Sequence, residues 1–213
     1  MKTGDIIKFN NYDWRVLTVQ DSKALIITEN VVEKRRFHED LVDTSWEECD
    51  LRRYLNGAFY DTFTESEKGM IIKTTNKNPA NPWWNLGDDH DTEDNIFLLS
   101  LYELVEYFGD SGDLKNRKGW CYDERKRKFV YEQGVSGTFI HDEYNKKRVA
   151  KLKRKPWLRG KPWCWWLRTF AANRQAAVSI YFDGSIIQHG HCVLCNLDGG
   201  GGGVRPAVWI SRR

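Results

Sequence analysis

Apolar and polar residues alternate along the first thirty positions. Ile6, Ile7 and Phe9 within Asp5–Phe9, and the β-branched and aromatic runs Trp14–Val19 and Ala24–Thr28, predict a meander of three short strands. Asn10–Asn11 marks the first turn. The period then lengthens: Thr44 and Ser45 can cap a helix that places Trp46, Leu51, Tyr54 and Leu55 on one face. Thr64 with Glu67 has capping-box spacing and opens a second short helix ending near Gly69. Asn76 to Asp94 is polar, rich in Asn, Pro and Asp, and predicts a long loop. Ile96–Leu99 predicts a buried strand. Ser100 with Glu103 repeats the capping box before Leu101, Leu104, Val105 and Phe108, and Gly109 stops that helix. Gly112 to Gly137 carries weak signals, and apolar strands are predicted at Trp163–Leu167, Val178–Phe182, Ser185–Ile187 and Ala207–Ile210. With no internal repeat and no separating linker, the pattern predicts one α+β domain over residues 1–213.

Within this pattern the tail stands apart. An aromatic entry, WCWWLRTF, and an exit, VRPAVWI, enclose residues of little common character. Between Thr169 and Gly203 there is no Lys, Glu, Met or Trp, and the only charges are Arg174, Asp183 and Asp198, in a chain that is 30% charged. A buried β-rich segment would also lack Lys and Glu. Burial does not account for Asn173, Arg174, Gln175, Gln188, His189, His191, Asn196 and Asp198, which are polar and patternless.

Size and composition narrow the classes. A chain of 213 residues with 40% hydrophobic content and ten Trp can bury a sizeable core. No apolar run reaches the length of a membrane span, and the start lacks the h-region of a secretory signal, so the expected location is cytoplasmic. Five cysteines, an odd number in a chain that needs no staples, predict free thiols. The net charge of +3 hides an asymmetry: residues 144–161 hold nine Lys/Arg and no acid, leaving −6 elsewhere. Those cations, with Trp157 and Trp163 nearby, could meet a nucleic-acid backbone while the aromatics stack on bases. The reading adopted is a solvated face, because no recognised binding motif accompanies the run.

Several segments, in order, carry a resemblance: GDIIKFNNYDWRVL, TSWEECDLRRYLNGAFYDTF with TESEK, DNIFLLSLYEL, WWLR, DGSI and GVRPAVWI. Together they resemble an uncharacterised bacterial and phage family with a C-type-lectin-like fold, several members of which are variable proteins of diversity-generating retroelements. The fold is shared with formylglycine-generating enzymes. The resemblance implies short mixed or antiparallel strands with two or three flanking helices, and a last strand that returns beside the first, so that VRPAVWI pairs near the N-terminal meander. In such systems a reverse transcriptase copies a template with errors at adenines, and the copy replaces the stretch encoding the binding surface. An AAC or AAT codon randomised at its adenines cannot yield Trp, Lys, Glu, Met or Gln. The segment from Thr169 to Gly203 contains none of the first four, and Gln only at Gln175 and Gln188, which need another codon or lie outside the randomised set.

The resemblance adds phage-particle-associated to the cytoplasmic location as an expectation, and the implied site is a non-catalytic surface for a macromolecular ligand, a protein or cell-surface molecule, without cofactor. Its variable positions are Phe170, Asn173, Arg174, Gln175, Ser179, Tyr181, Phe182, Gln188, His189, His191, Cys192, Leu194, Asn196, Leu197 and Asp198, at about 165–210. Phe170, Tyr181 and Phe182 offer contact area at low entropy cost, and His189, His191, Asn196 and Arg174 offer directional bonds. Trp165, Trp166, Arg168, Gly184, Val204, Arg205, Pro206 and Trp209 form the frame, with Arg168 and Arg205 expected to satisfy buried carboxylates or carbonyls.

Other chemistries compete for the same residues. His189, His191, Cys192 and Cys195 are zinc-type ligands, but an extended strand places Cys192 opposite the other three and no second Cys-x-x-Cys completes the site. Formylglycine-generating enzymes use a cysteine pair with copper, and Cys192 and Cys195 invite that comparison at a shorter spacing. The alternatives to binding are therefore an oxidase of that kind, a metal-binding domain, or nucleic-acid binding through 144–161. Asp88, Asp89, Asp91, Glu93 and Asp94 offer oxygens for calcium but lack the motifs of calcium lectins, and predict a solvated loop. No Ser/His/Asp arrangement stands out. Gly199–Gly203 is no phosphate loop, lacking the Lys-Ser/Thr that would follow, and predicts a flexible approach to the final strand.

Overall fold

Two asparagines set the first corner. The chain opens with β1 (Ile6–Phe9), β2 (Tyr12–Gln20) and β3 (Lys23–Thr28), each antiparallel to the last, and Asn10 and Asn11 join β1 to β2 with φ of 44° and 62°. A two-residue hairpin needs positive φ at both central residues, a region asparagine tolerates. Asn10 is held from outside as well, its Nδ2 donating to Thr62 Oγ1 at 2.8 Å and its backbone N–H to Glu67 Oε1 at 2.7 Å. This computed structural model describes residues 1–84, 86–123, 125–133, 139–152, 160–195 and 202–212, with the backbone alone for 120–123, 129 and 131–133.

Next come β4 (Glu33–Lys34) and α1 (Asp50–Tyr54), which continues through a π-turn (Leu55–Phe59) and a 3-10 turn (Tyr60–Thr62). The helix starts later than predicted. Cys49 is its N-cap, its Sγ accepting from the Arg52 N–H at 3.4 Å, while Ser45 closes a turn of its own by accepting from the Glu48 N–H at 3.2 Å. Both predicted capping boxes are present, at the start of α2 (Glu65–Lys68) and of α3 (Leu101–Phe108).

The stretch predicted as a loop is a hairpin. After β5 (Ile71–Ile72), β6 (Thr74–Asn78) pairs antiparallel with β7 (Asp89–Asp94). The inward side chains Asn76, Asn78, Thr92 and Asp94 are buried. Asp94 accepts from Arg52 Nε at 2.6 Å, Thr92 Oγ1 at 2.8 Å, Asn76 Nδ2 at 2.9 Å and Trp46 Nε1 at 3.2 Å. A strand pair whose inner face is polar but fully bonded shows no hydrophobic period. Ile96–Leu99 is buried as expected, yet it joins no sheet among the described residues beyond one bridge, Phe97 to Ala207.

The weakly patterned middle holds α4 (Asp113–Asn116), β8 (Lys118–Asp123), β9 (Lys128–Gln133), β10 (Phe139–Ile140), α5 (Asn145–Arg148), β11 (Ala150–Leu152) and β12 (Lys161–Trp163). The tail forms β13 (Trp165–Phe170), β14 (Ala176–Ile180), β15 (Ile186–Cys192), β16 (Gly203–Val204) and β17 (Ala207–Ser211). One sheet has the order β1-β2-β3-β17-β5 and another β13-β14-β15-β10-β8-β9, with two-stranded pairs β4-β16, β6-β7 and β11-β12. The architecture is mixed α+β, with mostly antiparallel strands in small sheets and few helices. The last strand does return to the N-terminal meander, but at β3, Ala207 opposite Ile27 and Ser211 opposite Lys23, not beside β1. Trp14, Ile26, Trp46, Leu98, Trp165 and Val208 belong to one buried cluster linking the meander, the helices and the tail. No helix among the described residues is long and apolar enough to cross a membrane.

Candidate functional site

Strand β13 fixes the tail because it is buried along its whole length. Neighbouring side chains of a strand point to opposite faces. Trp165 meets Phe108, ring centroids 6.4 Å apart, and the Arg205 guanidinium at 4.8 Å; Trp166 meets Phe37 at 5.7 Å and His191 at 6.3 Å. Each indole N–H is satisfied, Trp165 by the Arg148 carbonyl at 3.1 Å and Trp166 by the Arg35 carbonyl at 3.0 Å. Arg168 donates to Asn78 Oδ1 at 2.8 Å and to the Leu98 and Lys77 carbonyls at 2.6 and 2.9 Å, and it pairs with Glu103. Arg205 donates to the Thr28 carbonyl at 2.7 Å and the Glu29 carbonyl at 3.3 Å. Val204 and Pro206 are buried, and Trp209 is half-buried under the Lys23 ammonium.

The β14–β15 turn is equally constrained. Gly184 has φ of 88°, and a Cβ there would stand 1.9 Å from the Asn145 carbonyl oxygen, so the turn lies directly on α5. The Tyr181 N–H donates to the Ser185 carbonyl at 2.8 Å. Tyr181 and Phe182, both half-buried, meet as tilted rings at 4.6 Å and open a ring cluster: Phe139 lies 6.0 Å from Tyr181 and 5.6 Å from His189, and Trp163 lies 5.9 Å from Phe182. Trp163 Nε1 and His189 Nδ1 have no hydrogen-bond partner among the described residues.

The far end of β14 is polar. Asn173 is exposed, Arg174 pairs with Asp89, and Gln175 Nε2 donates to Asp43 Oδ1 at 3.0 Å. The Thr44 N–H donates to the Arg174 carbonyl at 3.3 Å, which brings the exposed Leu41 and Val42 beside this loop. Between the two ends, His189, His191, Cys192 and Leu194 are half-buried. Asn196, Leu197 and Asp198 lie outside the described residues, as does most of the basic run beyond Leu152.

Three residues expected at the surface are not there. Phe170 is buried with its ring 5.4 Å from Phe37, and Ser179 is buried against His191, Oγ to Nδ1 at 2.7 Å. Gln188 is buried, accepting from Asn81 Nδ2 at 2.9 Å. Their partners Phe37 and Asn81 come from distant parts of the chain, which no local pattern reveals.

The His/Cys cluster does not assemble a metal site. Among the described residues no three His, Cys, Asp or Glu side chains converge on a point. His191 Nδ1 is taken by Ser179, and the His189 ring lies edge-on to Phe139. Burial, with the neighbouring His189 adding, lowers His191 to about 4, and burial alone lowers His189. Both rings are therefore neutral at pH 7. Cys192 and Cys195 share one tight turn, the Cys195 N–H donating to the Cys192 carbonyl at 2.9 Å. Burial first, then Cys192, raises the Cys195 thiol, which favours the protonated form over the nucleophilic thiolate.

Folding also brings together a Ser/His/Asp group that spacing does not suggest. Ser185 Oγ lies 3.1 Å and Asp183 Oδ2 3.3 Å from His141 Nδ1. A proton relay needs the serine and the carboxylate on different ring nitrogens, and here both meet the same one. Ser185 Oγ donates to Asp183 Oδ1 at 2.6 Å instead, closing the β14–β15 turn. Nor is the acidic stretch a solvated loop: Asp89 pairs with Arg174, Asp91 with Lys77 and Glu93 with Lys73, and Asp94 is buried. Each of these four carboxylates is committed to a cation, Asp94 to Arg52.

No curated protein and no solved structure matches the chain. Residues 21–212 match the family model described as Domain of unknown function (DUF6273), from the second turn of the meander to the end of the last strand, and the chain belongs to that family.

Proposed function

We propose that this chain is a non-catalytic target-recognition protein of C-type-lectin-like fold, whose β14–β15 surface binds a protein or cell-surface molecule. In this reading, a retroelement's adenine mutagenesis diversifies the coding segment for residues 165–210. The observation that carries the reading is the ring cluster of the half-buried Tyr181 and Phe182, on a turn locked by Gly184, joined through Phe139 to His189 of β15. Such rings on a rigid support bury area at little entropic cost, and the polar groups around them adapt to the partner. Among the described residues, burial leaves Asn173, Arg174, Gln175, Tyr181, Phe182, His189, His191, Cys192 and Leu194 in the contact set, and Asn196, Leu197 and Asp198 stay in it as the sequence placed them. Phe170, Ser179 and Gln188 move to the frame, and one of the two glutamines that randomised adenines cannot encode thereby leaves the surface.

The test is genomic. A near-copy of the segment encoding residues 165–210, beside a reverse-transcriptase gene and differing at template adenines, supports the proposal. Sibling copies should then vary at 173, 174, 181, 182, 189, 191, 192 and 194 while 170, 179 and 188 stay constant. Differences scattered over all bases, or variation concentrated at the buried positions, would reject it.

A further inference from the structure

Arg205 opens onto ground that the β14–β15 surface does not use. It helps line an open cavity of about 370 Å³ on the Trp165 side of β13, together with Arg15, Lys146, Lys147, Tyr107 and Phe108. The one carboxylate in that lining, Glu29, is already engaged: Arg15 Nε donates to its Oε2 at 2.7 Å and Nη2 to its Oε1 at 2.6 Å. Arg205 therefore has carbonyl partners only, is 2% exposed, and keeps Nη1 without a hydrogen-bond partner among the described residues. Lys146 and Lys147 are exposed on α5 and have no carboxylate partner among the described residues; the Lys147 ammonium lies 5.0 Å from the Tyr144 ring. Four cations thus face one carboxylate, an excess of three positive charges beside the apolar walls of Val16, Leu17 and Phe108.

A buried cation without a counter-ion is costly, and a cavity that gathers further cations around it favours an anion. Burial lowers Arg205 to about 10, the Glu29 carboxylate opposing that and Arg15 reinforcing it, so the guanidinium stays charged at neutral pH. The bidentate geometry that suits a carboxylate is already used between Arg15 and Glu29, while the two lysines at the cavity are mobile point charges. We propose that this cavity binds a small phosphate monoester with a compact aromatic or apolar body. A dianion matches the charge excess better than a single carboxylate, and Tyr107 and Phe108 accommodate the body. This gives a role to the first cations of the basic run, Lys146 and Lys147, which the proposed recognition surface leaves unused.

The experiment is calorimetric titration of the full chain at constant ionic strength, with phenyl phosphate as probe and benzoate for comparison. Phenyl phosphate should bind saturably and raise the melting temperature, with benzoate weaker by about tenfold or more. K146A/K147A, changed at two exposed positions, should leave the ligand-free melting temperature unchanged and weaken phenyl phosphate by about tenfold or more. Absence of saturable binding, undiminished affinity in the double variant, or an equal response to sodium chloride would overturn the proposal. So would lysine-dependent binding of a single-stranded oligonucleotide with none of phenyl phosphate, which would make this face a nucleic-acid contact. None of these outcomes bears on variation at the β14–β15 surface, so the two proposals fail separately.

Discussion

The ground around Arg168 and the ground around Arg205 begin alike and end differently. Arg168 leaves strand β13 and Arg205 the short link between β16 and β17, and both are buried, at 3% and 2% exposure. Arg168 finds a carboxylate, Glu103, an amide oxygen and two carbonyls, and the β6–β7 hairpin closes over it. Arg205 finds two carbonyls and two aromatic rings, and a cavity remains beside it. The same side chain is thus a closed knot in one place and an unbalanced charge in the other. What separates structure from binding capacity is the presence of a matched counter-ion, not the residue type.

Unfolding measurements can break or sharpen that contrast. R168M leaves Glu103, Asn78 and two carbonyls without their donor and should cost about 3–5 kcal/mol in urea unfolding; a cost no larger than that of R205M would remove the contrast. Acid should act next, on the neutral His191, whose folded value of about 4 lies below its ordinary 6.5. The unfolded chain binds the proton first, so this contribution is intact above pH 6.5 and is lost as pH falls toward 4, in total about 3 kcal/mol. H191Q should flatten that limb relative to wild type when the two are unfolded at pH 7 and pH 4.5. D94A should cost about 2–3 kcal/mol, since Arg52 is partly exposed and water replaces some of what it loses. The smallest effect belongs to R205M, about 1–2 kcal/mol, because only carbonyls are abandoned and a lone buried charge is relieved. Phenyl phosphate should stabilise wild type but not this variant in a melting experiment.

Legibility in the sequence followed the range of the interactions. The capping boxes at Thr64/Glu67 and Ser100/Glu103 and the Asn10–Asn11 turn are complete within a few residues, and all three are where the pattern placed them. The β6–β7 hairpin was hidden because its inner face is Asn, Thr and Asp, bonded to Trp46, Arg52 and Arg168 from elsewhere. Cys49 as a helix cap has no conventional signature, since a thiol accepts weakly. In the candidate surface, Tyr181 and Phe182 were visible as aromatics in a segment of odd composition. The burial of Ser179 and Gln188 was not, because it depends on partners across the sheet and more than a hundred residues away. The cavity beside Arg205 draws on β2, α3, α5 and the tail at once, and no local window contains it.

Gly190 carries one last consequence, for how many versions of this surface the proposed diversification could produce. It sits in β15 with φ of 73°, and a Cβ there would stand 2.4 Å from the Ala171 Cβ and 2.5 Å from the Ala177 oxygen. Any copy that changes position 190 must push β14 and β15 apart, whatever its neighbours become. His189 and His191 flank it and are half-buried, so they can vary where it cannot. If β15 is diversified as proposed, its repertoire is a comb: usable diversity multiplies across the open positions, while a change at the tooth between them strains the pairing of β14 with β15.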